Sequence, residues 1–155
     1  MRNTTLCYLE QDGCYLMLHR IKKKQDANLG KWIGVGGKFK EKESPEDCVT
    51  REVLEETGLI MDQWQYHGIV TFVSDVYETE YMHLFTCGHF HGVLSDCAEG
   101  VLQWIPKQDI LHLNLWKGDR IFLNLLQKDT PFFSLKLVYQ KEHLKNAFLN
   151  GKQML

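Results

Sequence analysis

The chemistry-bearing residues of this chain crowd into one short stretch. Glu52, Glu55 and Glu56 stand within Arg51-Glu52-Val53-Leu54-Glu55-Glu56-Thr57-Gly58. Spaced three and four apart, these carboxylates share one face of a helix. Like charges one turn apart cost about 0.2–0.5 kcal/mol per pair. They also fall in the last turns before Gly58, where the helix dipole disfavours negative charge by about 0.3–1 kcal/mol each. Arg51 reaches Glu55 at i+4, but Arg placed N-terminal to Glu is the weaker orientation. A local rule is broken here, and such conflicts mark functional sites. A hard divalent cation relieves the repulsion, and oxygen ligands suit Mg²⁺ or Mn²⁺. On their own the three glutamates equally describe a solvated acidic helix face.

The elements that must position them follow from local grammar. Ser44 caps, Pro45 suits the first helical position, and Glu46 and Asp47 fill the first turn. Ser44-x-x-Asp47 is a capping-box variant, Val49 and Val53 form a buried stripe, and Gly58 is a stop. A helix over 45–57 is predicted. Ahead of it, Gly30-Lys31-Trp32-Ile33-Gly34-Val35-Gly36-Gly37-Lys38 reads as a bent strand and turn closely approached by another group. Strands are predicted at 4–9 and 14–19, joined by a turn at Asp12-Gly13, and at 68–74, 82–90, 100–105 and 132–139. Residues 106–111 read as a helical turn. A second helix over 118–128 turns Ile121, Leu125 and Leu126 to the core. Mixed strands with two separated helices define an α/β layered domain. The tail from Gln140 to Leu155 is open between two roles, completing a sheet or packing against a second copy as a homodimer.

Composition narrows the class. With 155 residues, 44% apolar and 25% charged, the chain is expected to form one domain over 1–155. Disordered, collagen-like and rod-like classes are excluded. The net charge of −2 lacks the basic excess of a nucleic-acid polymer binder, and Lys22-Lys23-Lys24 reads as a solvated loop. Five scattered cysteines without a CxxC pair read as reduced thiols of a cytoplasmic protein. No apolar run reaches the roughly 18 residues of a membrane span, and no signal peptide is expected. His89 and His91 alternate on one strand without a third ligand at metal-site spacing, and read as surface residues.

The flanking spacing carries the reading further. From Gly37 come five residues, Glu43, seven residues, then Arg51-Glu52-Val53-x-Glu55-Glu56-x-Gly58-Leu59. Residues 37–59 resemble the Nudix box at every specified position, a far more specific match than a lone GxGxxG. The resemblance implies an α/β/α sandwich around a mixed sheet and hydrolysis of nucleoside diphosphates linked to another moiety. It implies that Glu52, Glu55 and Glu56 hold divalent cations, with the Gly37 carbonyl as a further ligand. Glu43 and Arg51 would then support the glutamates through a salt bridge. Metal ions neutralise phosphate oxygens and lower the pKa of bound water. A spare carboxylate takes its proton. Glu52 is the first choice for that base. Glu99, in a loop before a strand, is a second base or a further metal ligand, or an ordinary exposed acid. Lys38, after the glycines, is a phosphate contact or a surface lysine.

Two segments narrow the substrate. Gly30-Lys31-Trp32 with Gly34-Val35-Gly36-Gly37-Lys38, and Asn114-Leu115-Trp116-Lys117-Gly118-Asp119, are similar to those of MutT-like enzymes that clear oxidised purine nucleoside triphosphates. By that resemblance Trp116 stacks on the purine and Asp119 reads its edge. The competing readings are a core aromatic for Trp116 and a helix cap for Asp119. Phe72 lines the pocket or belongs to the core. Ile33 departs from the asparagine that some members carry, removing one polar base contact. The expected reaction is Mg²⁺-dependent hydrolysis of 8-oxo-dGTP, or a related nucleotide, to monophosphate and pyrophosphate, which sanitises the nucleotide pool. The alternatives are ADP-ribose, a dinucleotide polyphosphate or a nucleotide sugar as substrate, or a non-catalytic nucleotide sensor.

Overall fold

In the computed structural model, which describes residues 1–155, β1 (Arg2–Gln11) and β2 (Cys14–His19) form the predicted hairpin. Asp12 and Gly13 turn it at φ of 51° and 73°. Two positive φ angles match the right-handed strand twist, and Asp-Gly tolerates them. Residues 4–9 of β1 are buried without a break. Such a strand is covered on both faces, and its alternate side chains feed two separate cores. Leu6 and Tyr8 join Tyr15, Met17, Phe122 and Leu123 on one face of the sheet. Cys7 and Leu9 join Leu16, Leu18, Val49 and Val53 on the other.

The sheet has nine strands and is mixed. β1 runs parallel to β5 (Glu80–Gly92), which pairs antiparallel with β4 (Leu59–Ser74). β4 runs parallel to β7 (Phe133–Gln140). On the other side β2 pairs with β3 (Trp32–Ile33) and β6 (Val101–Pro106). Helix α1 (Pro45–Thr57) covers one face and α2 (Lys117–Gln127) the other. The expected α/β/α sandwich around a mixed sheet is the observed architecture. No helix is long and apolar enough to cross a membrane.

The structure departs from the sequence expectation at β4 and α2, and decides between the two roles left open for the tail. β4 begins at Leu59, directly after the α1 cap, rather than at Gly68. Its first half, with Asp62, Gln63, Trp64 and Gln65 exposed, lacks an apolar alternation and follows β5 through register irregularities. In α2 the buried face is Phe122, Leu123 and Leu126, with Ile121 and Leu125 only partly covered. The five apolar residues form one broad arc, and tertiary packing rather than periodicity decides which part of it is buried most deeply. The tail completes the sheet: β8 (His143–Leu149) pairs with β7, and β9 (Lys152–Gln153) with β8. Asn150-Gly151, at φ of 51° and 83°, turns the last hairpin.

Candidate active site

Helix α1 carries the glutamates and is fixed at both ends. Ser44 Oγ accepts from the Asp47 N–H and Asp47 Oδ2 accepts from the Ser44 N–H, both at 3.0 Å. Gly58, in the left-handed region at φ 78°, donates its N–H to the Leu54 carbonyl. One guanidinium then relieves the crowded C-terminal end. Arg51 Nε and Nη2 donate to the two Glu43 oxygens at 2.6 and 2.8 Å. Arg51 Nη1 donates to Glu52 at 2.7 Å and to Glu55 at 3.2 Å. Hydrogen bonds from Arg51, then from the Lys40 N–H, hold the Glu43 carboxyl down at about 2. Arg51 Nη2 also bonds the Lys38 carbonyl, so helix and glycine loop are tied together.

The glycines of that loop are set by close approach. A Cβ at Gly36 would fall 2.0 Å from the Thr5 carbonyl oxygen, and one at Gly37 would fall 2.5 Å from Glu52 Cδ. The loop is thus pressed between β1 and the Glu52 carboxylate. Gly37→Ala pushes on the Glu52 carboxylate rather than on backbone. The expected result is a melting temperature within about 3 °C of wild type and a kcat lowered about tenfold or more by a displaced carboxylate. Thermal melts and steady-state kinetics on one preparation check both. The Gly37 carbonyl accepts the Thr5 N–H at 2.9 Å and the Cys48 thiol at 3.5 Å. The neighbouring Gly36 carbonyl accepts no backbone hydrogen bond.

A cleft of about 510 Å³ runs from these carboxylates to the start of α2. Glu52, Glu56 and Glu99 line one end, and Phe72, Trp116 and Asp119 the other. Its size suits a small ligand. A second, shallow concavity near Glu10, Asp62 and Lys107 gathers none of the expected site residues.

Glu56 is the most perturbed carboxyl at the acidic end. Its Oε2 is buried without a hydrogen-bond partner. Burial first, then the charges of Glu99 and Glu52, raise its pKa to about 8, against the pull of the Gly36 N–H and Arg20. A buried oxygen left unpaired is costly, and a cation at that point satisfies it. The donor set therefore fits a hard divalent ion. Glu55, half exposed beside Arg51, does not line the cleft. No three acidic, histidine or cysteine side chains form a ready-made metal cage. Such an arrangement suits Mg²⁺, which keeps waters and takes substrate oxygens beside one or two carboxylates. Glu99 is not a free loop acid: Arg20 Nη1 lies 3.1 Å and Lys23 Nζ 3.3 Å from its oxygens.

At the other end, Trp116 is buried to 8% exposure and its Nε1–H donates to Asn28 Oδ1 at 2.8 Å. Phe72 and Tyr139 pack against the indole edge-on, with ring centroids 6.3 and 5.5 Å away. The Lys31 ammonium lies 5.1 Å from the ring centroid. Trp116 is thus both a core aromatic and a wall of the cleft. Asp119 does not cap α2, which starts two residues earlier and has no side-chain cap bond. It lies in the first turn, 7% exposed, lining the cleft. Ile33 lines the same space without a polar atom, and exposed Lys38 stands at its rim. His89 is exposed and His91 pairs with Asp62 at the surface.

Burial raises the Asp119 pKa to about 8, with Glu80 adding and Lys31 opposing. The folded protein therefore holds this proton more tightly than the unfolded chain. Stability from this group is complete below about pH 4 and declines as pH rises toward 8. Asp119→Asn should remove that decline, so its melting temperature should exceed wild type at pH 8 by more than at pH 5. Paired melts at the two pH values check the sign.

No motif singles out Arg20, Asp26 and Asn28, which line the cleft from the polar loop between β2 and β3. Nor does one mark Glu80, which accepts from Arg2 Nη2 and from Thr4 Oγ1, both at 2.7 Å. The Asx turn at Asp26-Ala27-Asn28, with the Asn28 N–H donating to Asp26 Oδ1 at 3.0 Å, was the available signal.

A mixed sheet between helices, with a glycine loop against a carboxylate-bearing helix, is the architecture in which the family comparison places phosphoric-anhydride hydrolysis. The NUDIX domain model matches residues 1–126, and the chain belongs to that family. It is 36% identical over 112 residues to the mouse oxidized purine nucleoside triphosphate hydrolase, covering 71% of each chain. It is 32% identical over 130 residues to the zebrafish (Danio rerio) protein of that name, covering 83% of this chain and 81% of the other. A MutT protein from Bacillus halodurans shares the fold, with a TM-score of 0.87 at 23% identity over 98% of this chain and 99% of that one. Family members are typically dependent on a divalent metal.

Proposed function

We propose that this protein hydrolyses 8-oxo-dGTP or a related oxidised purine nucleoside triphosphate to the monophosphate and pyrophosphate, with Mg²⁺ or Mn²⁺. The observation that carries the reading is one cleft with an indole and a buried carboxyl at one end and Glu52, Glu56 and Glu99 at the other. Two relatives named for oxidised purine triphosphates support it. The cation would be held by Glu52 and Glu56 with a glycine-loop carbonyl, and Glu55, which pairs with Arg51 outside the cleft, would join them only by leaving that pair. Gly36, whose carbonyl has no backbone partner, is better placed for this than the engaged Gly37. When bound, a divalent cation neutralises phosphate charge and activates water.

The chain's own groups do the rest. Trp116 stacks on the purine, and Phe72 and Ile33 shape the apolar wall. Asp119, held protonated by burial, donates a hydrogen bond to a purine acceptor, a contact Ile33 does not supply. Lys38 faces a phosphate at the rim. Glu52 Oε2, the oxygen not held by Arg51, takes the proton of the attacking water. Glu43 and Arg51 hold Glu52 in place. Glu99, fixed by Arg20 and Lys23, is the second candidate base, and Glu99→Gln separates it from Glu52→Gln.

The test is kcat/KM with Mg²⁺ for 8-oxo-dGTP, dGTP, ADP-ribose and a dinucleotide polyphosphate, with products identified. Preference for 8-oxo-dGTP with release of pyrophosphate is expected. Preference for ADP-ribose or the dinucleotide overturns the substrate, and binding without turnover of any of them supports the sensor instead.

A further inference from the structure

The two ends of the cleft are joined by a continuous chain of hydrogen bonds and one ion pair through the 20–31 loop. Trp116 Nε1 donates to Asn28 Oδ1 at 2.8 Å, and the Asn28 N–H donates to Asp26 Oδ1 at 3.0 Å. The other Asp26 oxygen, Oδ2, accepts from Arg20 Nε at 2.7 Å, and Arg20 Nη1 lies 3.1 Å from Glu99 Oε2. Asp26 and Arg20 are both mostly buried, with side chains 6% and 15% exposed. The backbone closes the loop on itself, since the Gly30 N–H bonds the Arg20 carbonyl at 2.8 Å and the Arg20 N–H the Lys31 carbonyl at 2.9 Å. A charged bond inside a mostly buried loop is stronger and more directional than a neutral one.

We propose that Asp26 is a positioning residue with two separate arms. Through Oδ2 it holds Arg20 against Glu99 at the carboxylate end; through Oδ1 and Asn28 it fixes the Trp116 indole at the other. Distance between indole and carboxylates, and so between bound base and reacting phosphate, is set by one side chain that touches neither. The inference rests on the reading of Trp116 as the base platform. It also explains why the loop between β2 and β3 keeps an acid among its basic residues.

The two arms are separable by substitution. Asp26→Asn keeps an oxygen for the Asn28 N–H but turns an amide N–H toward Arg20 Nε, where two donors meet. That breaks the Arg20 arm alone. Asn28→Ala removes the acceptor of the indole N–H and keeps its own backbone N–H, which breaks the indole arm alone. With the best substrate of the panel, Asp26→Asn should lower kcat about 10- to 100-fold and leave KM within about threefold. Asn28→Ala should raise KM about tenfold and leave kcat within about threefold. The ¹⁵N–¹H resonance of the Trp116 indole, read without turnover, should move in Asn28→Ala and stay in Asp26→Asn. Equal effects on kcat and KM in both variants, or lowered melting temperatures with unchanged kinetics, overturn the proposal. Trp116→Ala runs beside them. If it raises KM while the two arms fail to separate, only the positioning role falls. If it leaves KM unchanged, the base platform falls and this inference with it.

Discussion

Glu56→Gln should leave a folded protein with kcat reduced about 10³-fold or more. Its buried Oε2 has no partner in the chain, and burial with Glu99 and Glu52 holds its pKa near 8. The free protein therefore bears an energetic cost at this carboxyl. An amide of the same shape removes the ionisable group, so the metal-free variant should melt no lower than wild type and somewhat higher at alkaline pH. Any ligand bound only by the folded state raises the melting temperature. Wild type should therefore gain stability as Mg²⁺ is titrated in, and Glu56→Gln should lose most of that gain. Calorimetry with and without Mg²⁺, alongside initial rates, reads both effects on one sample. Surviving turnover, or an unchanged Mg²⁺ response, would remove Glu56 from the metal site.

Trp116→Ala should lower kcat/KM for the preferred purine substrate about 5- to 150-fold, the equivalent of about 1–3 kcal/mol of stacking. The indole is also packed against Phe72 and Tyr139, so truncation opens a cavity and lowers stability. Kinetics with inorganic triphosphate separates the two causes. That compound has no base to stack, so its turnover should change little if the loss belongs to base recognition. Trp116→Phe keeps an aromatic face but loses the N–H that donates to Asn28. It should recover part of the loss and no more. A parallel fall for both compounds would mean that Trp116 holds the fold rather than the base.

Local signals made α1 legible: Ser44, Pro45, Asp47 and Gly58 lie within or beside the helix they bound, and the observed span is the predicted one. The first half of β4 had no such signal, because its exposed residues are recruited by pairing with the far end of β5. The last hairpin did have one in Asn150-Gly151, but the strands beside it are short and only partly buried. The glutamates and their Arg51–Glu43 support were readable because the spacing is local. Arg20, Asp26 and Glu99 were not grouped, since their meeting depends on β2 ending where β6 begins, at the His19–Val101 pair. The engagement of the Gly37 carbonyl by Thr5 likewise appears only once β1 lies beside the glycine loop.

Strand β1 sits mid-sheet, and Arg2 meets its partner Glu80 only 78 positions later. A growing chain therefore holds both cores open until β5 has left the ribosome. The cleft floor cannot close by local steps, because β1 must wait for a parallel neighbour and β4 for β7. Pairings of this range place folding in the slower millisecond-to-second regime. During that interval residues 4–9, with Leu6, Tyr8 and Leu9 among them, lack their parallel neighbour and leave a nascent chain exposed to aggregation.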